Sequence, residues 1–336
     1  MATMKEVARL AGVSTATVSR ALMSPEKVSN STRRRVEDAV MSSGYSPNSL
    51  VRNLRRNESK TIIVIVPDLC DPYFSEIIRG IEDTAAEHDY LILLGDSSQQ
   101  LNRETTFMNL VFTKQADGMV LLGSDTPFDV SKPEQKNLPP LVMVCEYAPE
   151  LELPTVHIDN LTAAFDIVNY LTQMGHKRVA EMSGPESAAL CQFRHQGYQQ
   201  ALRRAGLEMN PSHRVYGDFS FESGALAVKR LLTQPEPPTA IFCHNDAMAI
   251  GAMQQAKKMG YRIPQDLSVV GFDDIQFSQY CEPPLTTIAQ PRYEIGKQSM
   301  LMLLETLKGN EVRAGSRLLE ANLVIRNSAG PPKIKY

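Results

Sequence analysis

The chain has 336 residues, 43% of them hydrophobic, enough for a large core shared among two or three domains. Its net charge of −3 conceals a split: residues 1–60 carry eleven Lys/Arg against five Asp/Glu, a surplus of six, which leaves −9 on the remainder. The lack of an apolar leader or of an 18-residue apolar run excludes a membrane-spanning helix and predicts a soluble cytosolic protein, and five cysteines without a C-x-x-C pair exclude a zinc ribbon and predict buried reduced thiols.

The basic head comes first. Thr3 is placed to cap a helix, with Glu6 three residues on completing a capping box; Met4, Val7, Ala8 and Ala11 then recur at helical spacing. Gly12 ends this helix and Ser14 caps the next, in which Ala16, Val18, Ala21 and Leu22 supply the apolar positions. Asn30 to Ser43 reads as a third helix, capped by Ser29 or Asn30 and closing a small core with Val36, Ala39 and Val40. Two helices across a short Gly-containing turn, on a basic segment, match a helix-turn-helix whose second helix enters a major groove. Thr15, Ala16, Thr17, Ser19 and Arg20 lie on that helix. The alternative is a small helical docking module, which the excess positive charge disfavours.

The stretch TMKEVARLAGVSTATVSRAL (Thr3–Leu22), followed by VSNSTRRRVEDAVMSSGYSPN, resembles the DNA-binding signature of the lactose-repressor family of bacterial transcription factors. The likeness runs over essentially the whole chain. It implies that Thr15, Ala16 and Arg20 read base edges, while Ser14, Thr17, Ser19 and Asn30 serve as phosphate or capping residues beside Thr3. Read alone, SPNSLVRNLRRNESK (Ser46–Lys60) is a polar, basic linker. By resemblance it is a hinge that folds on specific DNA and wedges Leu54 into the minor groove. Val51 departs from the family, which commonly has Ala there, and the bulkier side chain bears on hinge packing between protomers. The domains expected are thus a helix-turn-helix domain over 1–46, a hinge over 47–60 and a core over 61–336.

Beyond Lys60 the pattern changes. Short continuous apolar runs (TIIVIVPD, YLILLGD, ADGMVLLGS, LVMVCE, TVHIDN, RVAEMSG, TAIFCHND, LSVVGFDD) alternate with helical stretches. That rhythm predicts parallel sheets covered on both faces, in two α/β lobes. By resemblance the core is doubly wound and periplasmic-binding-protein-like, with chain crossings between lobes near 160, 290 and 322. Ligands in such sheets sit beyond the carboxyl ends of the strands, where two facing lobes make a cleft. No P-loop, G-x-S-x-G, H-E-x-x-H or zinc-deaminase pattern occurs, and the six histidines show no metal spacing, so neither catalysis, metal nor cofactor is expected.

For the cleft, Tyr73 and Phe74 follow the first strand; either they stack on a flat ligand or Phe74 is core. Arg194 offers a fork for hydroxyl or carbonyl groups, and Phe221, Asn245, Asp246 and Asp273 lie at strand ends. Asp246 has a second reading, as the cap of the helix beginning at Ala247. Aromatics with carboxylates and one Arg suit a neutral, polar, partly flat ligand better than a phosphorylated one.

The stretches RNESKTIIVIVPDLCDPYFSEIIRGIE, LELPTVHIDNLTAAFD and EPPLTTIAQPRYEIG are closely similar to the cytidine-responsive branch of the family, which implies cytidine as effector. The purine-responsive branch keeps an Arg and a Thr where this chain has Ala188 and Leu190. The same resemblance implies a repressor that binds operator DNA as a homodimer, beside the cyclic-AMP receptor protein. The helices near Ile77–Ile81 and at Lys297–Leu307 are the candidates for dimerisation; the second reads equally as core packing, and the two roles can coexist. A purine- or sugar-responsive repressor, or a cytosolic solute-binding module without DNA binding, are the alternatives.

Overall fold

The computed structural model describes residues 2–45, 58–98, 100–123, 138–146, 153–309 and 315–333, which divide into units spanning 1–59 and 60–336. The expected hinge residues Val51 and Leu54 lie outside the described residues.

The first unit holds α1 (Met4–Ala11), α2 (Thr15–Met23) and α3 (Asn30–Ser43). Each starts on a hydroxyl cap: Thr3 Oγ1 accepts from the Glu6 amide, Ser14 Oγ from that of Thr17, and Ser29 Oγ from that of Thr32. Gly12 closes α1 at φ 63°, a left-handed conformation that would strain any residue with a Cβ. Val7, Val18 and Val36 are fully buried between the three helices, with Ala8, Ala11, Ala21 and Ala39 around them. Small side chains let short helices approach closely enough to exclude water from so little apolar material.

The second unit contains two six-stranded sheets. The first runs β11-β5-β4-β3-β1-β2, from β1 (Thr61–Val66), β2 (Leu91–Asp96), β3 (Gly118–Leu122), β4 (Leu141–Val144), β5 (Thr155–Ile158) and β11 (Ser316–Leu319). The second runs β12-β10-β9-β8-β6-β7, from β6 (Val179–Ser183), β7 (Arg214–Tyr216), β8 (Ala240–Cys243), β9 (Ser268–Asp273), β10 (Thr286–Ala289) and β12 (Asn322–Val324). All pairings are parallel except β10 with β12. Around the first sheet lie α4 (Tyr73–Glu87), α5 (Leu101–Phe112) and α10 (Arg292–Leu307); around the second, α6 (Asn160–Gln173), α7 (Ala189–Arg204), α8 (Phe221–Leu232) and α9 (Asp246–Lys258).

The chain passes between lobes three times: from β5 to α6 at Asp159, from β10 to α10 at Gln290-Pro291, and from β11 to β12 at residues 320–321. The carboxyl ends of the strands therefore face each other across a cleft with the crossovers beside it. Central strands are buried on both faces, as in β1 and β9, which is why they read as unbroken apolar runs.

Ile77 and Ile81 are fully buried, and α10 packs against α4, so these side chains belong to the core of the first lobe, the packing role that the sequence also allowed for Lys297–Leu307. Among the exposed large hydrophobic side chains, Leu91, Leu93 and Leu94 lie on the edge strand β2; others, such as Leu226, Leu318 and Ile325, are scattered elsewhere. The expected burial of the thiols is corrected: all are free, but only Cys191 and Cys243 are buried; Cys145 and Cys281 are half-buried and Cys70 is exposed.

Candidate effector cleft and nucleic-acid interface

On α2, Thr15, Ala16 and Arg20 are exposed, and successive turns of helix bring them to one face. Ser14 and Thr17 are joined at 2.9 Å in the cap of α2, and half-buried Ser19 donates to Met23 Sδ. Thr3 and Asn30 are exposed at the starts of α1 and α3.

In the second unit the strand ends enclose a cavity of ≈ 450 Å³. Tyr73 and Phe74, from the first turn of α4, meet edge to face with ring centroids 5.1 Å apart. Phe221 faces them from α8, and Phe219 from the loop before it. Arg194, only 4% exposed, reaches in from α7. Its Nε donates to Asn160 Oδ1 at 2.8 Å, an Nη donates to the His244 carbonyl, and its guanidinium plane lies 3.7 Å from the centroid of Phe272. A guanidinium fixed on three sides presents its remaining N–H groups in one orientation.

Asp273, at the end of β9, sits at φ 116°, a backbone conformation rare for a residue with a side chain. The strain is held by Gln290, whose Nε2 donates to Asp273 Oδ1 at 2.7 Å. Gln290 Oε1 in turn accepts from the Tyr73 hydroxyl at 3.0 Å, and Tyr73 also contacts Cys145 Sγ at 3.1 Å. One hydrogen-bonded chain thus runs from the first lobe, through a crossover residue, to the second. Burial pushes the carboxyl of Asp273 and the phenol of Tyr73 well above their usual ranges, and raises the Cys145 thiol to about 12.

Of the residues expected to bind ligand, Tyr73, Phe74, Arg194, Phe221, Asn245 and Asp273 all line this cavity. Asn245 is also the cap of α9: its Oδ1 accepts from the Met248 amide and its Nδ2 donates to the Phe219 carbonyl. Asp246 does not line the cavity. Its carboxylate is turned into the lobe, accepting from Ser278 Oγ and Thr287 Oγ1 at 2.5 Å and from the Ile275 amide at 3.0 Å, where it pins the segment after β9. It is no cap either, because Asn245 occupies that position. The sequence reading noted Asn160 only as a polar strand end and missed Ser97, Glu104 and Gln290. Their only signal was position, at strand ends, on an opening helical turn or at a crossover.

Behind Arg194 lies a buried polar cluster. Glu181 accepts from His195 at 2.7 Å and His244 at 2.9 Å, and Arg214 Nε stands 3.1 Å away. Ser183, His244 and Glu181 follow the order of a hydrolase triad, with Ser183 Oγ 3.3 Å from His244 Nδ1. Ser183 is fully buried and is not among the residues that line the cavity. Burial alone would raise the Glu181 carboxyl, but hydrogen bonds from His195 and His244 outweigh it and hold the group at about 2, against an ordinary 4.5.

A carboxyl lowered by folding contributes stability that is complete above its unfolded value and is lost as pH falls toward the folded one. Glu181→Gln should therefore show a shallower loss of stability between pH 4.5 and pH 2 than the parent, read from urea midpoints across that range. Identical slopes would exclude the assignment.

Comparison with known proteins now fits these observations. Residues 3–48 match the model of the bacterial regulatory proteins of the lacI family, and residues 59–325 match that of the periplasmic binding proteins and sugar binding domain of LacI family. The chain belongs to the LacI family of bacterial transcription regulators. The HTH-type transcriptional repressor CytR of Escherichia coli is 61% identical over 97% of this chain and 96% of its own. The repressor PurR of Vibrio cholerae is 35% identical over 93% of each. A lac repressor dimer bound to operator and the anti-inducer ONPF superposes with a TM-score of 0.87, at 27% identity, over 98% of this chain and 99% of that one. This LacI-family member is a CytR-like transcriptional repressor, built from a helix-turn-helix domain and a two-lobed α/β core. Its homologues are repressors, and among the described residues no helix is long and apolar enough to cross a membrane.

Proposed function

We propose that the protein represses transcription as a homodimer whose operator or partner contacts are relieved when cytidine fills the cleft between its lobes. The observation that carries this is the lining of the cleft. Among the described residues it has a single cation, Arg194, against Asp68, Asp71, Glu104, Glu146, Asp218 and Glu222, with Asp273 pushed toward its neutral form by burial, together with the rings of Tyr73, Phe74, Phe219 and Phe221. Such a potential repels phosphorylated ligands and favours a neutral, hydroxyl-rich molecule with a flat ring. Ala188 and Leu190 also line the cavity, so the wall where PurR-like members would place polar base contacts is apolar here.

Ligand bridging both lobes acts on the Tyr73–Gln290–Asp273 chain, and a shift of the lobes about the crossovers is the route to the head. A coupling of about 1–3 kcal/mol would be ordinary for such a device. The exposed β2 edge, Leu91, Leu93 and Leu94, supplies the dimer contact. Likeness to the cytidine-responsive branch adds the cyclic-AMP receptor protein as partner on DNA.

Isothermal titration with cytidine, adenosine, hypoxanthine and ribose tests the effector. Tight binding of cytidine alone supports the reading; binding of a purine base, or of none of the four, refutes it. For the head, Arg20→Ala should cost about 1–3 kcal/mol of operator affinity and relax base preference at one position of each half-site. A uniform loss across sequences would make Arg20 a phosphate contact instead.

A further inference from the structure

A second cavity, of ≈ 780 Å³, adjoins the effector cleft and shares Pro72 and Gln290 with it. Its charge is of the opposite kind. Three arginines line it, Arg79, Arg292 and Arg326, against the carboxylates of Glu76 and Asp274. Arg79 stands one turn after Glu76 on the same side of α4, Arg292 is the first residue of α10, and Arg326 follows β12. Existing contacts draw these elements together. Arg292 Nη2 donates to the Asp274 carbonyl at 2.7 Å and lies 3.2 Å from Glu76 Oε2. Arg326 Nη1 lies 2.7 Å from Asp274 Oδ1 and donates to the Leu285 carbonyl at 2.8 Å. Part of the positive charge is left over. Arg79 is exposed and has no ion-pair partner among the described residues. Arg292 is only 6% exposed, and its Nε has no hydrogen-bond partner. A buried guanidinium N–H is seldom left unpaired, because nothing then offsets its lost hydration.

We infer that this cavity binds a phosphate group, free or at the end of a small ester. A phosphate carries about −1.5 to −2 near pH 7 and turns strong acceptor oxygens in several directions. Guanidinium groups arriving from separate elements meet that pattern, each forking onto different oxygens. A carboxylate has two oxygens in one plane and is served by one such group, as Asp274 already is by Arg326. A neutral ligand would leave the surplus of positive charge unmatched. Seated between Arg79 and Arg292, a phosphate gives Arg79 a partner and the Arg292 Nε an acceptor. Ser75 and Gln279 add neutral donors to the same lining. Phe277, also on the lining and half-exposed, offers an apolar face to the carbon part of an ester. Arg79 belongs to the first lobe and Arg326 to the second, so the anion is held from both. The effector cleft, with one arginine among carboxylates, repels the same group. The phosphate site is therefore independent of the cytidine reading.

The test is isothermal titration of the full-length protein with inorganic phosphate and with glycerol 3-phosphate, ionic strength being held constant with sodium chloride. The parent should bind both. Arg79→Ala should weaken that binding about 5- to 10-fold, the lower end of the range for a charged hydrogen bond because this side chain is exposed. Arg79 lies on a helix surface, where alanine is well tolerated, so the variant folds. The basic head also attracts anions, but this substitution leaves the head untouched, and binding there would be equal in parent and variant. Arg292→Lys keeps the charge but has neither the Nε nor the fork, and should weaken binding by a similar factor. Tighter binding of glycerol 3-phosphate marks an ester as the ligand class; tighter binding of inorganic phosphate marks the free ion. Binding as tight in either variant as in the parent, or no binding by the parent, overturns the site and leaves the cytidine effector standing.

Discussion

Arg194→Ala is expected to weaken effector binding by about 30- to 1,000-fold while the unliganded protein still binds operator. Arg194 is the only cation lining the cleft among the described residues, and Asn160, the His244 carbonyl and the Phe272 ring fix it before any ligand arrives. Hydrogen bonds from a charged donor contribute about 1.5–3 kcal/mol each, and preorganisation spares the cost of immobilising a long side chain on binding. Two such bonds to ligand hydroxyls bring the loss to about 2–4 kcal/mol, since such terms do not add fully.

Arg194→Lys should do little better. A single ammonium cannot hold Asn160, reach the backbone carbonyl and lie flat on Phe272 while also presenting two donors to the cleft. Titration with cytidine gives the affinity, and operator binding with and without cytidine gives the response. A thermal melt separates lost recognition from lost packing, because removing the guanidinium also leaves Asn160 Oδ1 and the His244 carbonyl without their donor. Unchanged cytidine affinity in a folded Arg194→Ala protein would place the effector elsewhere.

How far the sequence reaches depends on what each residue must satisfy locally. The head was legible almost to the residue because caps, a glycine stop and helical apolar spacing are local signals, and Thr3, Gly12, Ser14 and Ser29 act as such. The buried parallel strands were legible as apolar runs for the same reason. β7, β10, β11 and β12 did not stand out. They have three or four residues each, and β11 and β12 are half-exposed, so no continuous apolar run marks them. β2 shows the reverse error: LILL reads as buried, yet it forms a sheet edge whose covering is not encoded within one chain's pattern.

In the cleft, aromatic and charged residues at strand ends could be named, but their side-chain directions could not. Asp246 sits one residue from Asn245, which lines the cavity, yet its carboxylate turns inward because Ser278 and Thr287 supply donors there. Glu104 reads as an ordinary surface charge on an amphipathic helix. Gln290 reads as a polar residue before a proline; only the crossing of the chain makes it the link between Tyr73 and Asp273.

Gly251→Ala is expected to destabilise the protein by about 3 kcal/mol or more, against the usual sense of that substitution. In a helix interior, alanine is ordinarily favoured over glycine by about 0.5–1 kcal/mol, because glycine loses more backbone freedom on folding. Here a methyl at position 251 would lie 1.9 Å from the Phe221 carbonyl oxygen, and one at Gly224 would lie 2.1 Å from the Met248 carbonyl oxygen. Helices α8 and α9 therefore cross backbone to backbone, each using a glycine as the notch for the other. The obstructing atoms are main chain, so no side-chain rotation relieves the clash and the helices must separate. Overpacking costs about 1–3 kcal/mol where side chains can adjust, and more where they cannot, which exceeds the propensity gain and decides the sign.

The consequence extends to the effector. Phe221 opens α8 and Asn245 caps α9, so spreading this crossing displaces two lining residues of the cleft at once. Urea unfolding of Gly251→Ala should give a lower midpoint, and cytidine titration a weaker affinity, in the same protein. A neutral or stabilised variant would mean that the two helices do not approach this closely, and the placement of Phe221 opposite Tyr73 and Phe74 would have to be redrawn with it.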